Sequence, residues 1–268
     1  MVRGVIEAGG MIRKLSCLPD LYSGKDLFYE RMLAAHLTPE AATTEPYQPV
    51  IIDQGQEGSC TACGSTRAGL ATMKFADRDG TWCPGEYASI AAEYFWTREV
   101  MGTVNQDSGA TVRGAVMTLV RRGMVRASAW PYVPENFAVK PPADVEEEAL
   151  MHQAVRVRRL GASGRGRVDV LQVHDAIARG LCVVFGMALH ESFEHVGPNG
   201  MVPIPGPREQ VIGGHCMVVT AYDQSIDRPW EKVANSWGKD WGRSGYCFID
   251  ADHFKREASD AWVVETEE

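Results

Sequence analysis

The chain predicts an α+β protein of two lobes around a cleft. Helical patterns crowd its first half and short β-rich runs its second. Its 268 residues, 45% hydrophobic and 23% charged, suffice for one large domain or two lobes. A polar, glycine-rich turn, "DQGQEGSCTACGSTRAG", leads to a cysteine where a helix begins, and two further polar blocks follow about 150 residues later.

Residues 1–47 are mixed and poorly periodic, an N-terminal arm of uncertain role, and the Pro-containing "LTPEAATTEPYQPV" reads as a connection into a main domain starting at residue 48. From Cys60 to Ala76 the small residues Ala62, Gly64, Ala68, Gly69 and Ala71 interleave with Leu70, Met73 and Phe75. That suits a tightly packed buried helix, which "DRDG" ends. "GEYASIAAEYFWTRE" reads as a second helix, and "ATVRGAVMTLVRRG" as a third with Asp107 or Ser108 as N-cap and Gly123 as its stop. These fill a helical lobe of about 48–135. In the remaining lobe, about 136–268, "VPENFAVKPPADVEEEALMHQA" reads as a linker into a charged helix and "DVLQVHDAIARG" as another helix. The runs "CVVFGMAL", "CMVVTAYD", "KVANSW", "YCFID" and "AWVVE" read as strands between Gly/Pro loops. "GASGRGR" is too short and polar for a phosphate loop.

A net charge of -8 argues against a nucleic-acid partner, and Arg121-Arg122 and the basic run Arg156 to Arg159 read as solvated faces. The N-terminus has no apolar run long enough for a secretory signal, and no later run approaches bilayer length. The expectation is a soluble protein without a membrane partner, cytoplasmic by default, with export by a signal-less route left open. The seven cysteines (17, 60, 63, 83, 182, 216, 247) are sparse and odd in number, so reduced thiols are expected. Histidines 36, 152, 174, 190, 195 and 253 lack paired ligand spacing, so no metal or other cofactor is expected, and the oligomeric state is left unspecified.

A thiol is a useful nucleophile as thiolate, and a helix N-terminus with a nearby imidazolium favours that form. Cys60 sits where the first helix starts, behind glycines that let the backbone turn sharply. His215 follows two glycines and opens a β-branched run, so its ring should project from a strand end. Asn235, twenty residues on at the end of another strand, can accept from one ring nitrogen and so set tautomer and orientation. Gln54, six residues before Cys60, can donate toward an oxyanion beside the Cys60 backbone N–H.

"DQGQEGSCTACGS", "GGHCMVVTAYD" and "NSWGKDWGRSGY" resemble the three signature blocks of papain-like cysteine peptidases, in that family's order of Gln, Cys, His, Asn. "DSGATVRGAVMTLVRRG", "CVVFGMALHESF" and "ASDAWVV" are similar to segments of its prokaryotic and viral branch, and the likeness spans roughly residues 48–265. The resemblance implies a two-lobed papain-like fold with a helical left lobe, a β-barrel-like right lobe and an active-site cleft between them. It implies a cysteine endopeptidase with Cys60 as nucleophile, His215 as general base and acid, Asn235 as orienter and Gln54 as oxyanion donor. Trp237 would shield the His-Asn hydrogen bond. A protein or peptide substrate would lie extended in the cleft, against Gly58, Ser59 and the backbone of Gly109 and Ala110. Val184, Met187 and Gly213 would line the main specificity pocket, which suits apolar side chains, and Gly214 would bind substrate beside them.

The pattern is broken at two places. Thr61 stands where the family has an aromatic, so packing behind the site must differ, and Glu57 stands where a disulfide cysteine is common. No long inhibitory prosegment is visible, and if activity is restrained before use, residues 1–50 are the only candidate. Three alternatives stay open: acyl transfer to an amine by a transamidase or isopeptidase, an inactive peptide-binding homologue, and a redox or zinc role for Cys60-x-x-Cys63. The last lacks a second CxxC, which favours Cys63 as core or as an occasional oxidative partner of Cys60.

Overall fold

A long β-rich run becomes the spine of the molecule because it alternates little and is buried on both faces. This strand, β8 (Val211–Asp223), pairs antiparallel with β7 (Val183–His190) on one side and β9 (Trp230–Ala234) on the other. The sheet continues to β10 (Tyr246–Asp250) beyond β9, and to β11 (Ala258–Glu265) and β6 (Arg156–Arg159) beyond β7. A short β4 (Ala41–Thr43) also pairs with β8, so the sheet takes in residues ahead of position 48. The path is open: β10 and β6 do not pair among the described residues, so the lobe is a curved sheet rather than a closed barrel. The computed structural model describes residues 4–32, 37–76, 86–154, 156–161 and 168–266. His36, Cys83, the "DRDG" stop and nearly all of "GASGRGR" lie outside them.

The helical lobe is built on α1 (Cys60–Phe75), most of whose residues are buried, as its small-residue pattern requires. A Cβ on Gly64 would fall 2.9 Å from the Cys216 Sγ and 3.2 Å from Val184, so glycine lets α1 lie directly on β7 and β8. Against it pack α2 (Ile90–Met101), capped by the Ser89 hydroxyl, and α3 (Val112–Arg121), which follows β5 (Ala110–Thr111). The N-cap of α3 is Thr111, whose hydroxyl accepts from Gly114 N–H at 2.9 Å; Asp107 and Ser108 lie too far upstream and serve elsewhere. Among the described residues three shorter α-helices follow: α4 (Ala143–Leu150), α5 (Val170–Ala178) and α6 (Ala251–Glu257).

The described residues of the N-terminal arm carry regular structure that their unpatterned sequence does not announce. β1 (Val5–Ala8) and β2 (Met11–Lys14) form a hairpin turned by Gly9-Gly10, both at positive φ, and β3 (Cys17–Leu18) pairs parallel with β5. The basic run 156–159 is a strand, so its side chains alternate. Arg159 is buried, bonded to Asp260 at 2.6 Å and 3.6 Å from Asp26, whereas Arg156 points to solvent as expected.

Candidate active site

Cys60 is the first residue of α1 and is fully buried. The nearby backbone N–H groups of Cys216, Ser16 and Thr61 favour its anion and offset part of the cost of burial. Cys216 is the neighbour of His215 on β8, so the thiol from the helical lobe meets the imidazole-bearing strand of the other lobe. His215 lies within β8, not at its end; the strand begins at Val211, because Gly213 and Gly214 are extended and covered by the arm.

The His215 Nε2 lies 2.8 Å from the Asn235 Oδ1, an acceptor, so Nε2 carries the proton and Nδ1 the lone pair. Asn235 immediately follows β9, and its Oδ1 also accepts from Ser236 N–H at 2.8 Å, which fixes the amide orientation. Trp237 stacks on the imidazole with centroids 4.8 Å apart and is itself met edge-on by Trp241 and Phe193, forming a dry wall over the His215–Asn235 bond. The Nδ1 is buried with no hydrogen-bond partner among the described residues.

Gln54 is fully buried and held at both ends of its amide. Its Oε1 accepts from the Ser236 hydroxyl at 2.6 Å and its Nε2 donates to the Glu57 carbonyl at 2.8 Å, which leaves one N–H uncommitted. Tyr132 donates to the Gln54 carbonyl at 2.8 Å and so accepts from Ser59, also at 2.8 Å. Glu57 is buried beside Tyr132 and Ser59, and burial raises its carboxyl to about 7. Thr61 is buried too.

The cleft is occupied by the arm. Arg13 pairs with Asp53 and donates to the Trp237 carbonyl at 3.2 Å, and Lys14 pairs with Asp107 at 2.7 Å. Leu15 covers Gly213, the Ser16 hydroxyl donates to the Gly58 carbonyl at 3.0 Å, and the Cys17 carbonyl lies over Gly214. Gly109, at φ +74°, faces Ser16 so closely that a Cβ would sit 1.9 Å from the Ser16 oxygen. Beyond the cleft Asp20 anchors the arm, accepting from Arg113 N–H at 2.9 Å and the Trp262 indole at 2.8 Å. The backbone at Gly109-Ala110, expected to receive an extended peptide, therefore pairs with one belonging to the same chain.

The arm meets residues beside those expected to line the specificity pocket. The Cys17 side chain lies against Gly186, close to Val112 and Ser259. Val184 is fully buried against α1, and Met187 alternates to the opposite face of β7, in the cluster that holds Trp237 and Leu15. Period-two alternation separates Met187 from Gly186, which a likeness of segments does not resolve. Asp107, Tyr94, Tyr132 and Ser236 are further residues of the site. Asp107 accepts from Gly58 N–H at 3.0 Å and the Tyr94 hydroxyl at 2.6 Å, and Tyr94 accepts from Gly109 N–H at 3.0 Å. Ser236, inside the "NSWG" block, and Asp107, which opens the "DSGATVRG" segment, lay in stretches that carried a sequence signal, whereas Tyr94 and Tyr132 did not.

Enclosure changes the charge state. Burial pushes the Cys60 thiol well up and lowers His215 to about 4, with Asn235 opposing and Arg13 assisting the latter shift. With the arm seated, the loss of solvation thus disfavours both charged forms, thiolate and imidazolium.

Residues 45–261 match the family described as "Papain family cysteine protease". The chain belongs to the papain family of cysteine proteases. It is 33% identical over 221 residues to an uncharacterized peptidase C1-like protein of Acanthamoeba polyphaga mimivirus, covering 80% of this chain and 69% of that one. In fold it is similar to xylellain, a cysteine protease from Xylella fastidiosa (TM-score 0.82, 24% identity, all of both chains). It is also similar to digestive procathepsin L 3 of Tenebrio molitor (TM-score 0.66, 16% identity, 98% of this chain and 77% of that one). As a member of the papain family the protein is a cysteine peptidase, a hydrolase that binds peptide in its cleft. Among the described residues no helix is long and apolar enough to cross a membrane.

Proposed function

We propose that the protein is an endopeptidase in which Cys60, His215 and Asn235 form the reacting unit, Gln54 holds the oxyanion, and the arm keeps the cleft shut until displaced. The observation that carries this reading is the hydrogen bond from the His215 Nε2 to Asn235, which leaves the Nδ1 lone pair free beside the strand that meets the Cys60 sulfur. With the arm withdrawn, water enters, the imidazole becomes more basic and the thiol more acidic, and a proton passes from sulfur to Nδ1. The thiolate attacks a peptide carbonyl, and the oxyanion accepts from the free Gln54 N–H and the Cys60 backbone N–H. His215 protonates the leaving amine, then activates the water that hydrolyses the thioester.

Cys60→Ala is expected to abolish hydrolysis of a peptide library, while Gln54→Ala retains weak, measurable turnover. Wild-type activity in Cys60→Ala would refute the assignment. A product mass spectrum with and without an added amine separates hydrolysis from acyl transfer. Arg13→Glu, which sets like charges against each other at Asp53, is expected to speed labelling of Cys60 by a thiol-directed electrophile in the full-length chain.

A further inference from the structure

The arm brings a thiol of its own into the cleft. Cys17 presses its carbonyl over Gly214 and its side chain against Gly186, whose cross-strand partner on β8 is Cys216. A Cβ on Gly186 would fall 3.4 Å from the Cys17 Sγ, and both Cys17 and Cys216 pack in the cluster that contains Cys60. All three are free thiols. Ser16, not Cys17, is the arm residue over the catalytic sulfur, since its backbone N–H lies near the Cys60 thiol.

We infer that Cys17 and Cys216 form a reversible disulfide that bolts the arm into the cleft, making the latent state of the enzyme sensitive to thiol redox balance. The inference rests on the arm being the cleft's inhibitor and adds a covalent site to it.

The electrons pass to a low-molecular-weight disulfide. When the arm swings out, Cys17 is exposed, deprotonates more readily than in its buried site, and attacks that disulfide, breaking its S–S bond and releasing one small thiolate. When the arm reseats, the Cys216 thiolate attacks the Cys17 sulfur, a Cys17–Cys216 bond forms, and the second small thiolate leaves. The two protons lost by the cysteines end on the two small thiols. Two protein thiols are oxidised and one small disulfide is reduced. Once seated, the bond is shielded by the packing around Gly186 and Gly214, and Cys60 stays a thiol beneath Ser16. A chain locked in this way keeps its nucleophile unoxidised and recovers activity on reduction.

The test uses the full-length protein. It is equilibrated with glutathione disulfide, alkylated, digested without reduction and mapped by mass spectrometry. The Cys17 and Cys216 peptides are expected to be joined, lighter by two hydrogens than their sum. Native labelling of Cys60 should be at least about tenfold slower than after dithiothreitol, because the tethered arm competes intramolecularly. Cys60 should still be recovered as a free thiol on denaturation. In Cys17→Ser the slow-labelling fraction should vanish, leaving Cys60 open to glutathione. A bond from Cys17 to Cys60, or Cys17 recovered without a bond to Cys216, overturns the inference. Reduced Arg13→Glu protein separates the two readings. If its Cys60 labels no faster than reduced wild type, the arm is not the inhibitor; if it labels faster and the Cys17–Cys216 bond does not form, only the redox inference fails.

Discussion

His215 and His174 are both buried, and both bond through Nε2: His215 to the Asn235 amide oxygen at 2.8 Å, His174 to the Glu231 carboxylate at 2.9 Å. Each is stacked on an aromatic ring, Trp237 for the first and Tyr222 at 4.0 Å for the second. The difference lies in the partner and in what covers the ring. His174 sits on α5 against the sheet, sealed by the core and tied to a carboxylate. His215 has a neutral partner, which fixes its tautomer without claiming its proton, and its cover is a displaceable arm. A neutral orienter under a removable cover suits a ring that must gain and lose a proton; a carboxylate under a permanent one suits a structural clamp.

Four experiments would break or sharpen that contrast. The largest effect is expected from His215→Ala, which should lower peptide hydrolysis by about 10⁴-fold, the upper end of what a positioned acid–base contributes. Its melting temperature should change little by comparison. His174→Ala should do the reverse, costing about 1–3 kcal/mol in denaturant unfolding because the buried Glu231 is left without its hydrogen-bond partner, while activity per folded molecule persists. Equal loss of rate in both variants would erase the distinction. Third, Gln54→Ala should reduce kcat by about 10²–10³, the usual contribution of one oxyanion donor.

The smallest effect concerns pH and the cover itself. His215 is held at about 4 with the arm seated against an ordinary 6.5, so the seated arm favours the neutral ring. That contribution is complete above 6.5 and is lost as pH falls through about 4. Asp20 works oppositely: burial, then the neighbouring Asp260, raise it from 3.8 to about 6. Its contribution is complete below 3.8 and lost as pH rises through about 6. Asp20→Asn removes the second dependence. In that variant, exchange of the β3 and β5 amides, corrected for intrinsic rates, should accelerate steadily as pH drops from 6.5 toward 4. Exchange that slows over this range would show that the ring's charge does not govern the arm.

Much of the site was legible before any coordinates. The small-residue pattern of α1, with Cys60 at its start, follows from local composition, and the strand cores of β7, β8, β10 and β11 follow from β-branched runs. The hairpin β1–β2 was also encoded, as a Gly-Gly pair between two short apolar-containing runs, but four-residue strands carry too little periodicity to stand out. Other features had no local signature. Gly213 and Gly214 look like a turn, and they are strand because the arm needs that space; Asp107 looks like a cap, and it is the acceptor joining Lys14, Gly58 and Tyr94.

By itself the amino-acid order determined which groups exist for the chemistry and roughly which elements carry them, since helix starts, strand cores and glycine turns depend on neighbours a few positions away. Tertiary structure alone decided where the arm runs, which face Met187 takes, that Cys17 lies against the cross-strand partner of Cys216, and that burial disfavours the charged forms of Cys60 and His215. Each of these depends on contacts between distant positions and on the exclusion of water, and neither is written in local spacing.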